Sequence, residues 1–135
     1  MYYSNSTVIQ NIEGGAFLGW NFDNRSPIYI QIADKLEADI LSGKIKLGDR
    51  IPSVRELAVE AAVNPNTMQR ALQELESRLL VTVQRATGRQ VTEDSAAIEK
   101  AKAEKAGQIV KGFIDEIKKL GFSKESTEKL LEELW

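Results

Sequence analysis

The sequence predicts a mainly α fold with a small β-hairpin: a winged helix-turn-helix domain followed by a two-helix tail. Three observations lead there. Residues 51–76 read as two short helices joined by a tight turn, with polar side chains leading the second. A β-forming run follows almost at once and is interrupted near Gly88. Beyond it, an apolar stripe at helical spacing stops at Gly121 and restarts after Ser123.

Residues 1–24 form an N-terminal extension of unclear order. Asn5-Ser6-Thr7 matches a glycosylation sequon, but without a secretion signal the match is chance. Gly14-Gly15 makes a flexible joint, after which Leu18, Trp20 and Phe22 alternate with smaller or polar residues, the pattern of a short extended segment with one apolar face. The extension can pack on its own domain, dock on a partner subunit or stay disordered. The size of Trp20 and Phe22 favours packing, since such side chains are seldom left fully wet.

The domain proper covers residues 25–92. Its first helix is expected over 27–42, with Ser26 as cap, Pro27 in the first position and Gly43 as the stop. Tyr29, Ile32, Leu36 and Ile40 share one face and should seal the core. Residues 44–51 contain Gly48-Asp49 and are expected to hold a short strand. Ser53 and Glu56 then fit the capping box S-x-x-E, so a helix begins at Val54, with Val54, Leu57, Ala58, Ala61 and Ala62 at helical spacing. It should stop before Asn64, because a residue preceding proline disfavours the helical region. Asn64 restarts the chain as N-cap, with Pro65 at the first helical position.

In this next helix Met68, Ala71, Leu72 and Leu75 form the apolar stripe, leaving Asn66, Thr67, Gln69, Arg70 and Gln73 on other faces. Those residue types read DNA. Amides pair bidentately with adenine, arginine with guanine, and threonine with a phosphate or a thymine methyl. The helix N-terminus adds partial positive charge and free N–H groups, and no carboxylate lies between Pro65 and Gln73 to repel a phosphate. For Gln69 and Gln73 the alternative is an ordinary solvated position.

Residues 79–85 are rich in β-formers, 86–88 can turn and 89–92 can return. Arg85 and Arg89 flank that turn, where they either reach phosphates and the minor groove or form a solvated cross-strand pair. Thr87 and Gly88 sit at the tip, and Gly88 permits close backbone approach. A long helix is expected over 94–120, and Ser123 caps a last helix carrying Leu130, Leu131 and Leu134. Residues 93–135 number only 43, too few to bury such a stripe alone. Its apolar face must pack on the N-terminal domain or on a second copy.

These stretches, PIYIQIADKLEADILSGKIKLGDRIPSVRELA, VNPNTMQRALQELE and the hairpin ending GRQV, resemble the N-terminal domain of GntR-type bacterial transcription regulators. The VNPNT turn and the short tail LGFSKESTEKLLEEL resemble the YtrA-type subfamily. The resemblance implies a homodimer joined through the tail, with Ile109, Val110, Phe113, Ile114, Ile117, Leu120, Phe122, Leu130, Leu131 and Leu134 at the dimer contact. It also implies that Arg55 contacts the operator; read from the residues alone, Arg55 can instead pair with Glu56 or Glu60. YtrA-type regulators often sit beside membrane-transporter operons, so control of such genes is implied. Three places depart from the family. Ala86 stands where a second glycine is usual, Arg89 and Gln90 replace a threonine and an aromatic, and Leu79 replaces the glycine after the recognition helix. These changes alter the wing contact, and the added arginine partly compensates electrostatically.

Composition narrows the function further. The chain of 135 residues is 42% hydrophobic and 28% charged, an ordinary soluble balance. It has neither cysteine nor histidine, which removes thiolate metal sites and the commonest acid–base residue, and it fits a reducing cytoplasm. No apolar run approaches the roughly 20 residues that span a bilayer, so no membrane partner is expected. The formal net charge is −2, yet residues 44–92 hold eight basic against five acidic side chains, while residues 93–135 hold eight lysines against ten carboxylates. A locally basic face on an acidic whole suits DNA.

The leading expectation is a homodimeric DNA-binding transcription regulator, a repressor, reading an inverted repeat on double-stranded DNA. Two copies of the recognition helix would occupy successive major grooves about 34 Å apart. Arg55, Asn66, Thr67, Gln69 and Arg70 are placed at bases or phosphates, with Asn64 aiming the helix start. The alternative is a winged-helix protein-interaction module without specific readout. An enzyme is not expected, since Asp115-Glu116 and Glu132-Glu133 are adjacent on helices and face different directions. No cofactor or metal is called for. A small-molecule effector is possible, and 43 residues leave little room for a pocket of about 300–1,000 Å³ within one subunit, which puts it between subunits or near the tail.

Overall fold

The computed structural model describes residues 20–135, so the features read at Asn5-Ser6-Thr7, Gly14-Gly15 and Leu18 lie outside the described residues. Within it α1 (Ile28–Leu41), α2 (Val54–Ala61) and α3 (Pro65–Ser77) precede a hairpin of β1 (Val81–Gln84) and β2 (Gly88–Val91). Two helices follow, α4 (Ser95–Lys119) and α5 (Lys124–Leu134). Of the described residues, 20–99 form one compact unit and Lys100–Trp135 a second. The sequence-based boundary at residue 93 therefore lies just before α4, whereas the units part within that helix, after the buried Ile98.

α1 starts one residue later than expected, and Ser26 is not its cap. Pro27 takes an extended ψ of 142° and its carbonyl accepts the N–H groups of Ile30 (3.1 Å) and Gln31 (3.2 Å). The Gln31 amide folds back, donating to the carbonyls of Asp23 (2.9 Å) and Ser26 (2.7 Å), while its oxygen accepts from the Asp23 N–H (3.0 Å). This loop-to-helix knot fixes where the first turn begins. Trp20 is buried in the same unit, with Lys35 over its ring and Phe22 beside it at 6.3 Å.

Ser53 caps α2 by accepting the Glu56 N–H at 3.1 Å, the hydroxyl half of the expected box. α2 ends sooner than the proline rule required. Ala62 adopts the left-handed conformation (φ 54°, ψ 45°) and is exposed, so it makes the turn and does not join the apolar face. α3 packs against both α1 and α2. Ile32 and Leu36 of α1, Leu57 of α2, and Met68, Ala71, Leu72 and Leu75 of α3 are fully buried, and each large one contributes about 1.5–3 kcal/mol.

The hairpin is antiparallel, with Val81 opposite Val91 and Gln84 opposite Gly88. Gly88 has φ +79°, a value L side chains rarely adopt. Residues 44–51 contribute less than a strand. A single bridge joins Arg50 to Gln90, flanked by hydrogen bonds from Ile51 to Arg89 (2.9 Å) and from Val91 to Asp49 (2.8 Å). Leu80 and Val91 close the base of the wing over the core. In the second unit Gly121 (φ +82°) ends the turn after α4. Ser123 and Ser126 cap α5 reciprocally, with Thr127 buried behind them.

Candidate nucleic-acid interface

The N-terminal half of α3 presents the expected polar face. The Asn64 side chain accepts the Asn66 N–H at 2.8 Å, so its role is to cap, and Pro65 occupies the first helical position. No acidic residue lies in the first turn, which leaves the helix N-terminus positive. Asn66, Arg70 and Gln73 are exposed, Thr67 and Gln69 half-buried, and the opposite face carries the buried stripe. A helix with its side chains, about 10–12 Å across, matches a major groove about 12 Å wide.

Arg55 is exposed in the first turn of α2 and forms no ion pair with Glu56 or Glu60 among the described residues. The guanidinium of Arg70 lies over the ring of Tyr29, 4.0 Å from its centroid. Helical spacing puts Tyr29 on the core face of α1, but the residue is only half-buried.

Around the wing, Arg85, Thr87 and Gly88 are exposed at the tip. Arg89 is not. Its Nε donates to Glu76 Oε1 at 2.6 Å, and the two side chains are 19% and 27% exposed. Nor do Arg85 and Arg89 form a cross-strand pair, since Arg89 stands opposite Val83 while Arg85 lies in the turn. Three cations of the domain thus have distinct environments: Arg70 stacked on a ring, Arg89 neutralised by a carboxylate, Arg85 open.

A fourth cation, Arg78, is structural. It reaches Asp34 (2.9 Å), Glu37 (2.8 Å) and Glu74 (3.3 Å), tying the end of α3 to α1. Burial alone would lower its pKa, but the hydrogen bond to Asp34 and the charges of Glu37 and Asp34 outweigh that and raise it. Glu60 on α2 is the opposite case. It is 8% exposed, its Oε2 has no hydrogen-bond partner, and burial together with the nearby Glu56 pushes its pKa from 4.5 to about 7. Among the described residues no group of carboxylates is arranged to hold a metal ion, and no helix is long and apolar enough to cross a membrane.

The second unit leaves much of its apolar surface uncovered. Ile109, Val110, Phe113, Ile114, Leu120, Phe122, Leu131 and Leu134 are between 37% and 75% exposed, and Ile117 and Leu130 are half-buried. Val110, Phe113, Ile114, Ile117, Phe122 and Leu131 line a groove of about 430 Å³ between α4 and α5.

Sequence reasoning missed Tyr29, Glu76 and the Arg78 cluster. The partners are 41, 13 and 44 residues apart in the chain for Tyr29–Arg70, Glu76–Arg89 and Asp34–Arg78, beyond any local periodicity.

The comparisons agree with this geometry. Residues 28–91 match the family described as bacterial regulatory proteins, gntR family. The chain is similar to the uncharacterized HTH-type transcriptional regulator YhcF of Bacillus subtilis (strain 168), 36% identical over 104 residues that cover 77% of this chain and 86% of that protein. It is also similar to the HTH-type transcriptional repressor YtrA of the same organism, 40% identical over 70 residues, 52% of this chain and 54% of the other. A solved GntR family transcriptional regulator from Listeria monocytogenes superimposes with a TM-score of 0.78 at 40% identity, over 83% of this chain and 98% of that one. With its winged helix, the carboxylate-free start of α3 and these relatives, the chain belongs to the GntR family and is a DNA-binding transcription regulator, not an enzyme.

Proposed function

We propose that the protein is a repressor that binds an inverted-repeat operator on double-stranded DNA as a homodimer. The observation that carries the reading is the exposed, carboxylate-free start of α3, buried on its other side against α1 and α2 and therefore held rigidly outward. Asn66, Thr67, Gln69 and Arg70 read base edges or phosphates, Arg55 joins them from α2, and Asn64 aims the helix. Arg85, Thr87 and Gly88 carry the wing contact. The uncovered apolar face of α4 and α5 supports pairing of two copies, because a surface of that kind on a lone chain is an association site. Repression rests on the similarity to the repressor YtrA.

Selection from a random duplex library with the full chain tests the reading. A palindromic site is expected, with affinity falling steeply as salt rises, since each phosphate contact releases counterions. Failure to enrich any site, or binding indifferent to salt, would refute it. Arg70→Ala is expected to cost about 1–3 kcal/mol on the selected site and to relax its specificity.

A further inference from the structure

We propose that Tyr29 is a positioning residue for DNA recognition: its ring holds the Arg70 guanidinium in a reading pose while leaving every N–H donor and the full charge available. The inference rests on the reading of α3 as the DNA-facing helix. The guanidinium carbon lies 4.0 Å from the Tyr29 ring centroid, a face contact. The five guanidinium donors point outward in its plane, so a partner on the face consumes none of them.

The other arginines show what the alternative looks like. Arg78 and Arg89 are also held, but by carboxylates, at 2.8–3.3 Å for Arg78 and 2.6 Å for Arg89. Their charge is neutralised, and part of their donor set is used, inside the protein. Arg70 has no carboxylate partner among the described residues, and it is exposed. A stacked arginine loses side-chain freedom before DNA arrives, so less remains to be lost on binding.

The backbone that carries the ring is itself fixed. Tyr29 is the second residue of α1, whose start is knotted by the Gln31 side chain to Asp23 and Ser26. One turn further, Ile32 is fully buried in the α1–α3 contact. The backbone that carries the ring can therefore move relative to α3 only if the helix packing moves, and the contact with Arg70 sets the ring itself.

The test uses the full chain and the duplex it selects from a random library. Tyr29→Phe keeps the face and drops the hydroxyl; it should bind within about twofold of the parent. Tyr29→Leu removes the face and should weaken the selected site by about three- to tenfold, with little change on an unrelated duplex. In an Arg70→Ala background Tyr29→Leu should have no further effect, as a coupled pair requires. Independent, additive losses, or a Phe variant as weak as the Leu variant, would overturn the proposal and indicate a direct hydroxyl contact or a packing role. Should Tyr29→Leu unfold the domain, NMR of the parent and Tyr29→Phe decides. The Arg70 Nε–H signal should be ring-shifted and ordered in both, and a mobile, unshifted signal would refute the stack. If the parent chain selects no duplex, it is the DNA-facing reading that fails, and with it this proposal. If the parent selects a site but the cycle is additive, the positioning role alone fails.

Discussion

At the scale of single residues, two departures from ordinary behaviour have measurable consequences. Glu60 carries a carboxyl raised from 4.5 to about 7 by burial and by Glu56. The folded chain holds that proton more tightly than the unfolded chain. The group therefore costs nothing below about 4.5, where both states are protonated; the cost grows as pH rises and is complete above about 7. A tenfold change in proton affinity is worth ~1.4 kcal/mol, so roughly 3 kcal/mol of stability should be lost between solution below about pH 4.5 and solution above about pH 7. Glu60→Gln is expected to abolish that slope, and urea unfolding at the two pH extremes measures it; an unchanged slope in the variant would place the titration elsewhere. Leu79 is the second case. It sits at φ 63° while 73% exposed, so it bears left-handed strain without the compensation of burial. Leu79→Gly should relieve roughly 0.5–1 kcal/mol, the difference between the left-handed penalty and the entropy of glycine. A rise of the thermal midpoint is the expected sign, and a fall would show that Leu79 makes an apolar contact elsewhere.

At the scale of elements, the helices were largely legible because their ends are marked by residues whose chemistry acts locally. Ser53, Asn64 with Pro65, and Ser123 each accept a backbone N–H two or three residues on, and Gly43 and Gly121 supply the left-handed exits. The legibility ends where partners are distant. Nothing in the spacing of Glu76 and Arg89 announces that they pair; the sequence offers Arg89 only phosphates, the minor groove or Arg85 as neighbours. Nor did the apolar period distinguish Tyr29, which lies under Arg70, from Ile32, which lies in the core. The strand expected between residues 44 and 51 shrank to one bridge because only Arg50 meets Gln90 in register. The wing also yields a prediction of its own. Glu76→Gln should release Arg89 at a cost of about 0.5–1 kcal/mol in stability. It should also steepen the salt dependence of DNA binding by up to about one counterion per subunit. A plot of log affinity against log salt for parent and variant tells whether Arg89 is a reserve phosphate contact or only a brace.

At the scale of the whole molecule, the balance of charge is divided: the winged domain holds its excess of cations, and the tail holds acid and an uncovered apolar face. The proposed pairing is most exposed to test at Phe113, 37% accessible and on the groove wall. Phe113→Glu should give a monomer in sedimentation with its helix content intact, and that monomer should lose most of its affinity for a two-half site while a half site is bound as before. A variant that stayed dimeric would move the contact off this face. The Arg78 cluster adds something practical. Its guanidinium is 23% exposed and touches three carboxylates at once, so the clasp between α1 and α3 is partly sheltered from the ions that compete at the surface. With a screening length of about 8 Å at physiological ionic strength, added salt acts first on open cations such as Arg55 and Arg85 and much less on a sheltered one. Salt should then work as a dial on this protein. A strong brine should wash it from DNA still folded, and dilution should return it to the operator without a refolding step.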